Sequence, residues 1–272
     1  MIKGFHNIAK STKNGGCMNR IIAITNQKGG VGKTTTAINL AACIANEGHK
    51  TLLIDLDPQG NATSGLGFDK NDQEKTSYDV VLGHCKAQEA IMHTNRKNLD
   101  LIPSNVDLSG AEVELAEMEI KQYLLKAQIL VLKDDYEYII IDCPPSLGLL
   151  TVNALTAADT ALVPIQCEYF ALEGLSQLIQ TVDMIREALN PDLKIEGIVF
   201  TMFDIRTRLA NDVVNNVRDN LQLHVYKTAI PRNVRLAEAP SYGLPIIDYD
   251  YRCSGSRAYR KFAKEVIKRE DI

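Results

Sequence analysis

The residues best placed to do chemistry lie in one run, Asn26-Gln27-Lys28-Gly29-Gly30-Val31-Gly32-Lys33-Thr34-Thr35. It follows the apolar stretch Ile21-Ile22-Ala23-Ile24 and opens a helical pattern from Thr35 to about Glu47. A strand, a glycine-rich turn and a helix in that order form a phosphate-cradling loop. Gly29, Gly30 and Gly32 carry no Cβ, so the backbone can take positive φ and turn its N–H groups onto phosphate oxygens. The helix opening at Lys33 adds the positive end of its dipole and several unpaired N–H groups. Lys33 has the reach for β- and γ-phosphates, and the Thr34 hydroxyl is of the kind that ligates Mg²⁺. The plainer alternative, a βα turn that binds nothing, is disfavoured because motif, preceding strand and following helix agree. One position departs from the common G-x-x-x-x-G-K spacing: Gln27 stands where a glycine would be expected, and Lys28 follows it.

Two further groups have carboxylates at the ends of apolar runs. Thr51–Ile54 leads into Asp55-Leu56-Asp57-Pro58-Gln59-Gly60-Asn61. Residues i and i+2 share a face while a strand lasts, so both acids could look toward the phosphate site. Two like charges that close should sit at different distances from a metal, one near Mg²⁺ and the other nearer an attacking water. An acidic turn before proline is the competing reading. Tyr138–Ile141 ends in Asp142-Cys143-Pro144-Pro145-Ser146. An apolar strand capped by aspartate can hold Mg²⁺ directly or through water. The two prolines stiffen the loop and leave Ser146-Leu147-Gly148 as its movable part, placed to sense a γ-phosphate.

Behind these groups, apolar runs alternate with amphipathic helical patterns. The expected strands are 21–25, 51–54, 99–102, 138–141, 161–165, 195–201 and a short one near 226–229. The expected helices are 34–47, 106–116, 119–132, 170–189, 207–221 and 254–268. Short, nearly all-apolar strands between helices predict an α/β fold of three layers, with a mostly parallel twisted sheet covered by helices on both faces. Ligands in such sheets bind at the carboxyl ends of the strands.

The chain has 272 residues, 45% hydrophobic and 24% charged, which suits one large α/β domain over residues 20–272. Residues 1–19 carry Lys3, Lys10 and Lys13 and no acid. They read as a disordered basic leader, or as an upstream start with Met18 the functional one. The formal net charge of -4 excludes a global basic field, so any nucleic-acid contact must be local. No apolar run approaches the roughly 18 residues of a membrane span. The six cysteines include no C-x-x-C pair, which argues against zinc and for free thiols in a reducing cytoplasm. Cys143 reads as a structural thiol.

Lys28–Thr35, Asp55–Thr63, Asp142–Leu150, Gln166–Gly174 and Ile230–Pro240 together resemble the ParA/Soj family of chromosome-partitioning ATPases, within the deviant Walker A superfamily that also holds MinD. The resemblance runs from about Arg20 to the C-terminus. It implies an ATPase that dimerises face to face around two ATP molecules, with Lys28 reaching the partner's phosphates. It further implies Lys28–Thr35 as the phosphate loop and Lys28, Lys33 and Asp57 as catalytic residues, Asp57 orienting the attacking water. Thr34, Asp57 and Asp142 become the metal candidates, and Pro231 and Asn233 the adenine contacts. Family dimers bind double-stranded DNA without sequence preference and are stimulated by a ParB-type centromere-binding partner, which implies a nucleoid-associated cytoplasmic protein. Between Thr201 and Arg235 six basic residues face three acids, a local excess suited to phosphate backbone. Arg206 and Arg235 are the DNA candidates by resemblance. A MinD-like membrane-associated ATPase is the alternative, and the tail Arg260–Ile272 discriminates: Phe262, Val266 and Ile267 read there as a core face rather than a lipid-facing one. A synthetase using the same loop is a third reading.

Overall fold

The computed structural model describes residues 19–168, 171–220 and 222–269. The expected leader, all but its last residue, therefore lies outside the described residues, as do Tyr169 and Phe170 of one family motif and the acidic end of the tail. Seven strands form one sheet: β1 (Arg20–Ile24), β2 (Thr51–Asp55), β3 (Met92–His93), β4 (Leu99–Ile102), β5 (Tyr138–Asp142), β6 (Thr160–Gln166) and β7 (Lys194–Thr201). Their order is β3-β4-β2-β5-β1-β6-β7. Every pairing is parallel except that of β3 with β4, which closes one edge.

The helices are α1 (Lys33–Asn46), α2 (Asn61–Gly65), α3 (Ser77–Leu82), α4 (Leu108–Glu117), α5 (Leu124–Ile129), α6 (Leu149–Ala157), α7 (Ala171–Ala188), α8 (Arg208–Asn220), α9 (Val234–Glu238), α10 (Ile246–Tyr249) and α11 (Ser254–Ile267). Strand side chains alternate between two apolar layers, as the pleat requires. On one face Ile21, Ile54, Ile139 and Ile141 pack with Leu115, Leu125 and Leu155. On the other, Ile22, Ile24, Leu53 and Ile140 pack with Leu40 and Ile44 of α1 and with Tyr259, Phe262 and Val266 of α11. A third cluster, including Val163, Ile198 and Phe200, sits under α7 and α8. This is the three-layer α/β arrangement expected from the sequence.

Register sets the site. Ile24 of β1 pairs with Asp142 of β5, and Asp55 of β2 also pairs with Asp142. The three central strands therefore end level, delivering the glycine loop and both acids to one rim.

Two sequence expectations need correction. The segment 226–229 is not a strand of the sheet; it runs beside β7, with Tyr226 N–H donating to the Ile198 carbonyl at 3.0 Å and Ile230 N–H to the Phe200 carbonyl at 2.7 Å. The helix expected over 119–132 is broken: the chain turns with Ile120 at φ 51°, α5 spans 124–129 and a single 3₁₀ turn, Leu130–Leu132, follows. Farther along, a turn after the 3₁₀ segment Ala239–Tyr242 touches the turn after α2. A Cβ on Gly243 would lie 2.5 Å from the Gly67 Cα, so two backbones are in direct contact there.

Candidate functional site

The glycine loop joins β1 to α1 and is tied down at both ends. Asn26 donates from Nδ2 to the Pro164 carbonyl at 2.8 Å and accepts at Oδ1 from the Lys28 N–H at 3.0 Å. At the other end the Thr201 hydroxyl donates to the Val31 carbonyl at 2.7 Å. Gly30 and Gly32 have φ of 74° and 87°, the left-handed region that a side chain would make costly. A Cβ at Gly29 or Gly30 would meet nothing within 4 Å, so these glycines face open space rather than packed protein. Lys33 is buried, and its Nζ arches back to the Lys28 carbonyl at 3.1 Å. Burial pulls its pKa down, while the charges of Asp142, Cys143 and Asp57 hold it up. An ammonium held inside a glycine loop among N-terminal amides of α1 is a built receptor for polyphosphate. Thr34 and Thr35 open α1 directly after it.

The acids divide their roles. Asp55 is fully buried, and Oδ2 accepts from Thr63 N–H at 2.8 Å and from Thr63 Oγ1 at 2.7 Å. Burial pushes its pKa up to about 6 against those hydrogen bonds. The strand ends at Asp55, so the i, i+2 relation does not carry Asp57 along a continued face. Asp57 lies in the following turn, where Oδ1 accepts from Gln59 N–H at 2.9 Å and the main-chain oxygen from Ser104 Oγ at 2.8 Å. Asp142 is different again. It is fully buried, and neither carboxylate oxygen has a partner in hydrogen-bonding geometry. Burial, then the charge of Asp55, raises its pKa well above the carboxylate range, with Thr34 and Lys33 opposing. An unsatisfied buried carboxylate is costly. A hard divalent cation shared with the Thr34 hydroxyl fits those unpaired oxygens.

Beside the loop, Gly32, Thr35, Thr201, Met202, Pro231, Asn233 and Tyr259 line a cleft. Asn233 also caps α9, its Oδ1 accepting from Arg235 N–H at 2.8 Å, and its amide donates to Ser254 Oγ at 2.6 Å. Lys28, at the lip, is half-exposed and ion-paired with Glu168 of the same chain. Glu168 was legible only as part of a motif; that it holds Lys28 is visible in the structure alone. Asn26 and Thr201 had no role assigned from sequence. Asn26 could have been suspected from its place between strand and glycines, whereas Thr201 lies 170 residues away and leaves no sequence signal.

The two arginines expected at DNA stand outside this floor. Arg206 is 84% exposed at its side chain and forks onto Asp204 at 2.6 and 2.9 Å. That contact pulls the Asp204 pKa down to about 2. Arg235 pairs with Glu238 at 2.8 Å and lies 3.8 Å from Asp250.

Comparison with known proteins agrees with this geometry. An AAA domain family model matches residues 19–195. The chain is 55% identical to the sporulation initiation inhibitor protein Soj of Bacillus subtilis over 92% of this chain and 98% of that one. It is 52% identical to the chromosome partitioning protein ParA of Myxococcus xanthus, covering 92% and 89%. Among solved structures, cobyrinic acid a,c-diamide synthase of Mycobacterium smegmatis with bound ADP and magnesium superposes with a TM-score of 0.82 at 38% identity, covering 92% and 95%.

Proposed function

The chain belongs to the Soj/ParA family of chromosome-partitioning ATPases, and from that premise we propose that residues 20–272 act as one ATP-dependent switch for DNA segregation. The observation that carries the reading is the level ending of β1, β2 and β5, which brings the glycine loop, Lys33 and the unpaired Asp142 together. Lys28, Gly29, Gly30, Val31, Gly32, Lys33, Thr34 and Thr35 receive the triphosphate of ATP through main-chain N–H groups and ammonium charge. Thr34 and Asp142 would hold Mg²⁺, with Asp57 the third metal candidate beside them. When bound, the ion supplies neutralising charge to the phosphate oxygens. Pro231 and Asn233 form the adenine wall of the cleft.

Asp57 orients the attacking water, which makes it the residue on which turnover depends. Lys28 exchanges its intrachain partner Glu168 for the phosphates of a second protomer, so that a dimer forms only around ATP. Burying two triphosphates between protomers needs such added cations. The paired protomers present Arg206 and Arg235 to the backbone of double-stranded DNA without reading bases. Loss of the γ-phosphate removes the bridging contacts and releases DNA. A lone aspartate with no arginine finger makes intrinsic hydrolysis slow, leaving room for stimulation by a ParB-type partner. The protein then works in the cytoplasm, on the nucleoid.

The MinD-like reading is less supported. Phe262 and Val266 of α11 are fully buried against the sheet and α1, so they are not a face for lipid, and no helix among the described residues is long and apolar enough to cross a membrane. The synthase reading is disfavoured by the higher identity to the partition proteins.

The test is binding to random-sequence duplex DNA with ATP, ADP or no nucleotide, each across a salt series. Binding with ATP alone, indifferent to sequence and falling steeply with salt, is expected. Intact ATP turnover without ATP-dependent DNA binding would overturn the partition reading.

A further inference from the structure

We infer that Thr201, at the end of β7, is a positioning residue for the phosphate loop: its hydroxyl fixes the Val31–Gly32 peptide so that the Gly32 N–H faces the phosphates. The inference rests on reading residues 28–35 as the ATP-binding loop.

The geometry is local and specific. Thr201 and Val31 are both buried, and the Thr201 Oγ1 donates to the Val31 carbonyl at 2.7 Å. In a trans peptide the C=O and the following N–H point in opposite directions, and the described residues contain no cis peptide. A Val31 carbonyl held against β7 therefore turns the Gly32 N–H away from β7, into the loop whose open side Gly29 and Gly30 border. Without that tether the peptide could flip at little steric cost on the Gly32 side, because Gly32 (φ 87°) tolerates both signs of φ. A flipped peptide would aim a carbonyl dipole at the anion in place of a donor.

The anchor is itself rigid. Thr201 pairs with Gln166 in the β6–β7 ladder, and two residues on Phe203 N–H donates to the Ile230 carbonyl at 2.9 Å. The Thr201 methyl lies 3.7 Å from where a Gly32 Cβ would be, so the strand also sets how closely the loop approaches. A donor on a strand holds a loop donor more accurately than one on a mobile segment. The tether thus links the phosphate loop to the chain that continues through Met202 into the adenine cleft and on to Arg206.

The experiment compares Thr201→Val, which keeps shape and removes the donor, with Thr201→Ser, which keeps the hydroxyl. Equilibrium binding of MgATP is measured by calorimetry beside the thermal midpoint of the nucleotide-free protein. One hydrogen bond and a mis-set donor predict MgATP binding about five- to tenfold weaker in Thr201→Val, with Thr201→Ser within about twofold of the parent. Equal affinity of Thr201→Val and parent would overturn the proposal. So would an equal loss in Thr201→Ser, which would assign the effect to methyl packing. Should the valine variant fail to fold, Thr201→Ala against Thr201→Ser makes the same comparison. A parent that binds no MgATP, indistinguishable from Lys33→Ala, would remove the phosphate-loop reading itself.

Discussion

The floor of the site and its arginine rim handle charge in opposite ways. On the floor, Lys33, Asp55 and Asp142 are buried, and burial heads the causes of every shift among them. Asp55 has found its partners in Thr63, while neither Asp142 oxygen has one in hydrogen-bonding geometry. At the rim, Arg206 and Arg235 are solvated and each already has an acid of its own. Buried charge is kept unsatisfied only where something is to bind, because its cost is large. Exposed ion pairs cost little to break, because salt and water already screen them. The floor is a receptor already formed within one chain. The rim is a solvated surface whose ion pairs can be exchanged at little cost.

The sharpest test of the floor is Asp57→Ala. Turnover should fall about a hundredfold or more, the scale of a lost water-positioning group, while ATP-dependent dimers persist in sedimentation. Normal hydrolysis by this variant would remove Asp57 from the mechanism.

The floor should also leave a pH signature in the nucleotide- and Mg²⁺-free protein. Asp55 is raised from an ordinary carboxylate value to about 6, so the folded state holds its proton to higher pH than the unfolded chain. Its contribution is complete below about pH 4 and is lost as pH rises through about 6. The loss is on the order of a few kcal/mol. Denaturant titrations from pH 4 to 7 should show stability falling with pH, and Asp55→Asn should flatten that slope. A slope unchanged by the substitution would mean that Asp55 does not carry it.

The smallest effects belong to the rim. Asp204→Asn frees Arg206 and should tighten binding to random duplex DNA by about threefold at low salt. Arg206→Ala should weaken binding on all sequences alike and lower the log–log salt slope by about one per protomer. If Asp204→Asn weakened DNA binding, the pairing would be part of the DNA-binding conformation and the contrast between the regions would fail.

The fold was legible where apolar runs were long. β1, β2, β4, β5, β6 and β7 fall within a residue or so of their expected bounds, because strands buried on both faces are almost wholly apolar. β3, α2, α3, α9 and α10 were not foreseen. They span two to six residues, too few for a period to show, and caps and turns define them. The helix expected over 119–132 failed because its amphipathic pattern ran through a turn that only backbone geometry reveals, at Ile120. At the site, residue types and spacing pointed to the loop, the Asp55/Asp57 pair and Asp142, and only the family resemblance singled out Asp57. They could not show that Asp55 is taken by Thr63, nor that Lys28 rests on Glu168, since these are contacts between elements. The pairing of Arg206 with Asp204 and of Arg235 with Glu238 is different, because the partners stand two and three residues apart: a charge count over 201–235 pooled Asp204 with the other acids and stopped short of Glu238.

The contact between Gly67 and Gly243 constrains inheritance at two positions that touch no nucleotide. One glycine follows the helix that ties down Asp55, and the other follows the 3₁₀ segment next after α9, the helix that Asn233 caps. Both have positive φ; a Cβ on Gly243 would collide with Gly67 at 2.5 Å, and one on Gly67 would press on the Gly243 carbonyl at 3.1 Å. Neither residue can drift alone, and a change at one leaves nothing that the other could shed in compensation. In a library of random variants selected for working partition, these two sites should return as an invariant pair, looking like catalytic residues to anyone reading tolerance alone.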